Sequence, residues 1–179
     1  MITLLTGEIG CGKTTLCQRL AEAGCAQGLR VAGIITLPGA GGKDELWALA
    51  LAGGERRFLA RRTFHQDGRL GRYCFDADTF AWAAAAVRRT LARAELLIID
   101  EIGPLELRQS QGFAPLLDDL ARASCPVVLT VRRTQCKALE RRLGQPVRVV
   151  PISSGLQACP QLAGVHMNSQ AFAFFNFQG

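Results

Sequence analysis

Apolar residues first gather at Ile2 to Leu5, a short unbroken run that ends in Thr6-Gly7. Such a run, closed by a turn residue, is the pattern of a strand buried on both faces. From Lys13 to about Gln27 the spacing changes: Leu16, Leu20 and Ala23 recur at helical intervals and Gly28 is a helix stop. A second buried strand is predicted at Val31 to Thr36, "VAGIIT". Further on, Asp78 is placed to cap a helix whose Phe80, Ala84, Val87 and Leu91 share one face, and Leu96 to Ile99 reads as a buried parallel strand. A helix from about Gly112 to Ala121, a strand "PVVLTV", a helix from Thr134 to Leu143 closed by Gly144 and a strand "VRVV" continue a βα alternation.

The stretch between the second strand and the Asp78 helix has another character. "LPGAGGKDE" is loop; "LWALAL" at Leu46 to Leu51, the turn Gly53-Gly54 and "RRFLAR" read as two strands of a hairpin, and "GRYCF" at Gly71 to Phe75 adds a third strand. Residues 37–75 are therefore expected to form an antiparallel insertion beside a mainly parallel sheet. From Val149 to the end no Asp, Glu, Lys or Arg occurs, while Phe172, Phe174, Phe175 and Phe177 crowd the last residues. A loose tail of this kind would be poorly soluble, so residues 161–179 are expected to pack on a domain spanning residues 1–160; a protein partner or self-association surface is the sharper alternative.

Composition narrows the classes. A chain of 179 residues, 49% hydrophobic, can bury one good core but is short for two full domains. The opening residues show neither a basic region followed by an apolar stretch nor a span of membrane length, which gives the expectation of a cytoplasmic protein with no membrane partner. The seven cysteines form no CxxC pair, so most read as reduced, partly buried thiols; Cys11 is set apart by its place in a glycine-rich loop. The net charge of +6 suits a polyanionic ligand. Its arginines come as scattered doublets (Arg56-Arg57, Arg61-Arg62, Arg88-Arg89, Arg132-Arg133, Arg141-Arg142) without interleaved aromatics, a solvated surface in preference to a nucleic-acid face.

Two stretches carry chemistry. "GEIGCGKTTL" from Gly7 fulfils the complete P-loop pattern, with Gly7, Glu8, Ile9, Gly10, Cys11, Gly12, Lys13, Thr14 and Thr15 as candidate phosphate-binding residues. Glycines let the backbone N–H groups turn toward phosphate oxygens, Lys13 can bridge the β- and γ-phosphates, and the Thr14 hydroxyl can ligate Mg²⁺. The loop follows a predicted strand and opens a predicted helix, as the motif requires. "LLIIDEIGPLEL" supplies the acidic half: Asp100, expected at the tip of a strand beside the P-loop strand, is the second candidate Mg²⁺ residue, and Glu101 can orient and deprotonate a water aimed at the γ-phosphate. Lys13 and Glu101 are thus the candidate catalytic pair.

"DEIG" also matches the D-x-x-G of switch GTPases. Against that reading, the chain has no N-K-x-D or T-K-x-D for guanine, and Asp100 stands further from Lys13 than a compact switch protein places it, which leaves room for an extra strand between the two. Past the next strand, Thr130 is a candidate to sense the γ-phosphate or position water, and Arg132 and Arg133 are candidates to meet transition-state charge.

The ordered set "GEIGCGKTTL", "GIIT", "LALAGGERRFLAR", "GRYCFD" and "IIDEIGPLEL", over about residues 1–135, resembles the small nucleoside-triphosphatases described from thermophiles and in a human cancer-related form, P-loop proteins of the RecA-like or AAA-like class. The resemblance implies an α/β, three-layer P-loop NTPase fold with a mainly parallel central sheet. It also implies slow, Mg²⁺-dependent hydrolysis of ATP, GTP and other nucleoside triphosphates to diphosphate and phosphate. By matching position, Gly7 to Thr15 bind phosphates, Asp100 serves the metal and Glu101 activates water. The chain departs from the family in Pro104-Leu105, where a basic residue and Met are common, and in its ending after about Val150. A small-molecule kinase, with Glu101 taking a hydroxyl proton, and a nucleotide-gated adapter with slow hydrolysis remain alternatives.

Overall fold

A computed structural model describes residues 1–64 and 70–152. The expected packing of the Phe-rich tail lies outside the described residues.

The parallel core is built from continuous apolar runs: β1 (Ile2–Thr6), β2 (Val31–Gly39), β6 (Leu96–Ile102) and β7 (Val127–Val131). Every residue of β1 and β7 is buried, as strands covered on both faces must be. Between β2 and β6 the chain lays down β3 (Gly42–Ala50), β4 (Arg56–Phe64) and β5 (Leu70–Phe75), paired antiparallel in succession from β2 outward. With β8 (Arg148–Pro151), the eight strands form one sheet in the order β5-β4-β3-β2-β6-β7-β1-β8. The antiparallel insertion is therefore one end of the sheet, and the parallel strands are the other.

Alternation along the central strands feeds two cores. On one face α1 (Lys13–Ala26) buries Leu16, Cys17 and Leu20 against Leu5, Ile35, Ile98 and Val128. On the other, α2 (Ala77–Leu91), α4 (Leu117–Ala121) and α5 (Cys136–Leu143) bury Phe80, Val87, Leu120 and Leu139 against Leu4, Ile34, Leu97, Ile99 and Leu129. Helix, sheet and helices make three layers, the fold class expected. Gly33 has φ +127°, and a Cβ there would stand 1.8 Å from the Ile98 carbonyl oxygen, so only glycine permits the close approach of β2 to β6.

Five local expectations are corrected. The stretch "LPGAGGKDE", expected as loop, is mostly strand: β2 runs on to Gly39 and β3 starts at Gly42, with Ala40-Gly41 as the turn between them. Asp76, not Asp78, caps α2: its Oδ1 accepts the Thr79 N–H at 2.7 Å, the reach of an N-cap side chain to N3, while Asp78 is exposed in the first turn. The helix expected from Gly112 starts as a 3-10 turn at Ala114–Leu116, where Pro115 withholds a backbone donor, and becomes α-helical only in α4. A short helix not expected at all, α3 (Pro104–Gln109), follows β6 directly. Finally, β7 lies between β1 and β6, so Asp100 does not stand on a strand beside the P-loop strand; the extra strand for which the spacing left room is β7.

Candidate functional site

The strand ends gather the two motifs at one edge of the sheet. After β1 the loop turns at Gly10 (φ +81°) and Gly12 (φ +97°), both in the left-handed region open to glycine. Gly12 is the N-cap of α1, with no side-chain cap and no acidic residue in the first turn. The amides at the positive end of the helix dipole are thus left for an anion. Glu8, Ile9 and Gly10 are exposed at the rim, Ile9 to 72%. Cys11 turns inward and lies beneath Gly7, where any Cβ would come within 2.6 Å of both the Cys11 Sγ and the Ile152 carbonyl oxygen. Lys13 folds back over its own loop and donates to the carbonyls of Gly7 (3.0 Å) and Glu8 (2.8 Å), with its Nζ 3.7 Å from Cys11 Sγ. Thr15 is exposed beside it.

Thr14 joins the loop to the acidic strand. Its Oγ1 donates to Asp100 Oδ2 at 2.7 Å, a bond between residues 86 apart in the chain. Asp100 is fully buried, and its other oxygen, Oδ1, accepts from Thr130 Oγ1 at 2.6 Å. Burial raises the Asp100 carboxyl above its ordinary value, opposed by the hydrogen bonds from Thr130, Thr14 and the Thr36 backbone and by the Lys13 charge. The intervening strand β7 is what delivers Thr130, so the strand missing from the simpler expectation supplies a direct support for Asp100.

Glu101 stands next to this pair in an uncommon backbone conformation, φ +66°, which a non-glycine residue holds only when its surroundings fix it. Its N–H donates to Thr130 Oγ1 at 2.7 Å, so one hydroxyl serves both acidic residues. The side chain of Glu101 reaches the surface. Crowding by surrounding protein, and after it the Asp100 charge, push its carboxyl up to about 7, while Arg132 and Lys13 oppose the rise. Thr130, a candidate phosphate sensor in the sequence, is wholly buried with its hydroxyl engaged by Asp100 and Glu101. Arg132 and Arg133 are exposed past the end of β7, and Arg132 is close enough to act on Glu101 electrostatically.

One buried acid escaped the sequence reading. Glu106 is 4% exposed, and its carboxylate accepts the N–H of Gly103 at 2.8 Å and of Phe113 at 3.2 Å. The signal was present: a glutamate three residues after a cap position, with Pro104 at the first helical position, is a capping-box pattern.

Comparison with known proteins places the chain in a family. A family model described as NTPase matches residues 2–154. The chain is 35% identical over 134 residues to a protein of Pyrococcus abyssi named nucleoside-triphosphatase THEP1, covering 72% of this chain and 73% of that one. It is 32% identical over 146 residues to the protein of the same name in Methanothermobacter thermautotrophicus, covering 79% and 82%. The crystal structure of THEP1 from Aquifex aeolicus superposes with a TM-score of 0.66 at 22% identity, covering 90% of this chain and 95% of that one, which shows a shared fold. With a family model matched over most of its length and relatives above 30% identity along most of theirs, the chain belongs to the NTPase family.

Proposed function

We propose that the protein hydrolyses nucleoside triphosphates, ATP and GTP among them, to diphosphate and phosphate in a Mg²⁺-dependent reaction with low selectivity for the base. Family membership makes it a hydrolase of phosphoric anhydrides. The observation that carries the finer reading is the Thr14–Asp100 hydrogen bond at 2.7 Å, which brings the phosphate loop and the acidic strand to one point with Glu101 beside it.

Thr14 and Asp100 present hard oxygen donors, and no group of three or more His, Cys, Asp or Glu able to hold a metal occurs among the described residues. Two oxygens are what the chain needs to supply to a Mg²⁺ that arrives with phosphates and keeps water ligands. Bound there, the ion would neutralise charge on the β- and γ-phosphates. The residues do the rest. The amides of Gly7 to Thr15 cradle phosphate oxygens, and Lys13 exchanges the carbonyls of Gly7 and Glu8 for them. Glu101 accepts a proton from water as it attacks the γ-phosphorus, and the bond to the β–γ bridging oxygen breaks. The free thiols of Cys11, Cys17, Cys25, Cys74, Cys125 and Cys136 suit a reducing, cytoplasmic compartment, and no helix among the described residues is long and apolar enough to cross a membrane.

Phosphate release from ATP, GTP, CTP and UTP with Mg²⁺, and no added acceptor, tests this. Release from several nucleotides, lost with a chelator and reduced about a hundredfold or more in Glu101→Gln while nucleotide binding persists, is expected. Wild-type turnover in Glu101→Gln would remove the role given to Glu101, and release only on adding a hydroxyl acceptor would make the protein a kinase.

A further inference from the structure

The backbone around Glu101 departs from the regular ladder. Strand β6 pairs with β7 up to Ile99↔Leu129, then shifts register and resumes at Ile102↔Val131, with Glu101 left-handed between the two. A conformation of this kind relaxes unless both flanks are held. The upstream flank is held by Thr130, which accepts the Glu101 N–H. The downstream flank is Gly103, two residues on, and what holds its N–H is the Glu106 carboxylate at 2.8 Å.

Capping α3 would need only that one bond. The second oxygen of Glu106 accepts the Phe113 N–H, and Phe113 is anchored in the core, 2% exposed and edge-on to Phe80 with ring centroids 4.9 Å apart. Gly112 makes room: at φ +61° it passes so close that a Cβ would lie 2.3 Å from Glu106 Oε1. Only a carboxylate presents two acceptors to two facing N–H groups; a glutamine amide would oppose one of them with its own NH₂.

We propose that Glu106 is a positioning residue for Glu101: its buried carboxylate ties the chain just past Glu101 to the core at Phe113 and so fixes where the Glu101 carboxylate stands relative to the γ-phosphate. The proposal rests on Glu101 being the group that activates water. Lys13, Thr14 and Asp100 are held by contacts that do not pass through Glu106, so Glu106 governs turnover and leaves nucleotide binding alone.

The test is a double-mutant cycle on Mg²⁺-ATP turnover, with ADP affinity and thermal stability measured on the same proteins. In an otherwise wild-type chain, Glu106→Gln is expected to lower kcat by about tenfold to a hundredfold with ADP affinity unchanged, as a displaced catalytic group does. In a Glu101→Gln chain the same substitution is expected to change the residual rate little, because residues acting as one unit are not additive. An equal fractional loss in both backgrounds, a loss of ADP affinity that accounts for the fall, or unchanged turnover in Glu106→Gln overturns the proposal. If Glu106→Gln does not fold, Gly112→Ala takes its place: at its left-handed φ the Cβ presses on Glu106 Oε1 and Leu105 Cδ2 and shifts the carboxylate without altering it, the same kcat loss is expected in the wild-type background and little change in the Glu101→Gln background, and full turnover in folded Gly112→Ala or an equal fractional loss in both backgrounds overturns the proposal. Wild-type turnover in Glu101→Gln alone overturns the role of Glu101 first, which separates the two failures.

Discussion

Glu101 carries a pH dependence whose sign follows from its surroundings. Its carboxyl is raised from 4.5 to about 7 in the ligand-free fold, first by desolvation and then by Asp100. A raised carboxyl is protonated more readily in the folded chain than in the unfolded one, so its contribution to stability is fully present below about pH 4.5 and is lost as pH rises through about 7. The ligand-free protein is therefore expected to lose stability across that window relative to Glu101→Gln, in which this contribution is absent; denaturant unfolding at a series of pH values measures it. A flat difference between the two proteins would place Glu101 in ordinary solvent. At this scale the sequence was informative about identities and less so about partners. Lys13, Thr14, Asp100 and Glu101 are legible because the phosphate loop has fixed spacing and an acidic residue after an apolar strand is a recognised complement to it. Glu106 was not, because nothing in a sequence says that a glutamate in "PLEL" will be buried, and a cap position filled by Gly103 hides half of the capping pattern.

Strands β1, β7 and β8 and helix α1 were placed to within a residue, whereas β2 and β6 each run three residues past the ends expected for them, to Gly39 and Ile102. The strands β1, β2, β6 and β7 announce themselves by continuous apolar runs and helix α1 by apolar residues at helical spacing. Helix α3 is six residues long, too short for a period to show. The cap of α2 illustrates the same limit: two aspartates two positions apart both suit a helix start, and the chain chooses Asp76 because the Thr79 N–H and the Thr79 hydroxyl, which donates to the Phe58 carbonyl at 2.6 Å, fix that turn against β4. Asp76→Ala is expected to cost about 1 kcal/mol of stability, and Asp78→Ala, which removes only an exposed charge near the helix start, about half that or less. Urea unfolding of the two variants checks the order.

The whole sheet divides its labour by direction of pairing. Its parallel end, β2-β6-β7-β1-β8, brings the loop and the acidic residues to one edge, while the antiparallel strands β3 to β5 extend the other end, where Leu46, Ala48, Leu59 and Ala60 pack in one core with Phe80 and Val87 of α2. The order of the parallel strands was not legible, since spacing leaves room for a strand between two others without saying which one fills it. Because the loop, Asp100 and Thr130 come from three separate strands, an anion bound among them ties those strands together. Nucleotide at about a hundred times its dissociation constant is expected to stabilise the fold by about 2.7 kcal/mol, raising Tm by about 5–10 °C for a chain of this size. Lys13→Ala, which removes the charged donor proposed to meet the phosphates, is expected to abolish the shift at the same concentration, and a scanning fluorimetry titration distinguishes the two.

The floor of the phosphate loop has a consequence for how the protein is made. Gly7 rests on the Ile152 carbonyl, Ile152 donates its N–H to the Thr6 carbonyl at 2.6 Å, and both strand neighbours of β1 are β7 and β8. The loop sequence and the helix that follows it leave the ribosome before the two strands that flank β1 and before the carbonyl that gives the loop its shape. Until β8 has emerged the nascent chain carries the loop sequence without the scaffold that shapes it, so competence to bind waits on strands made well after the loop itself.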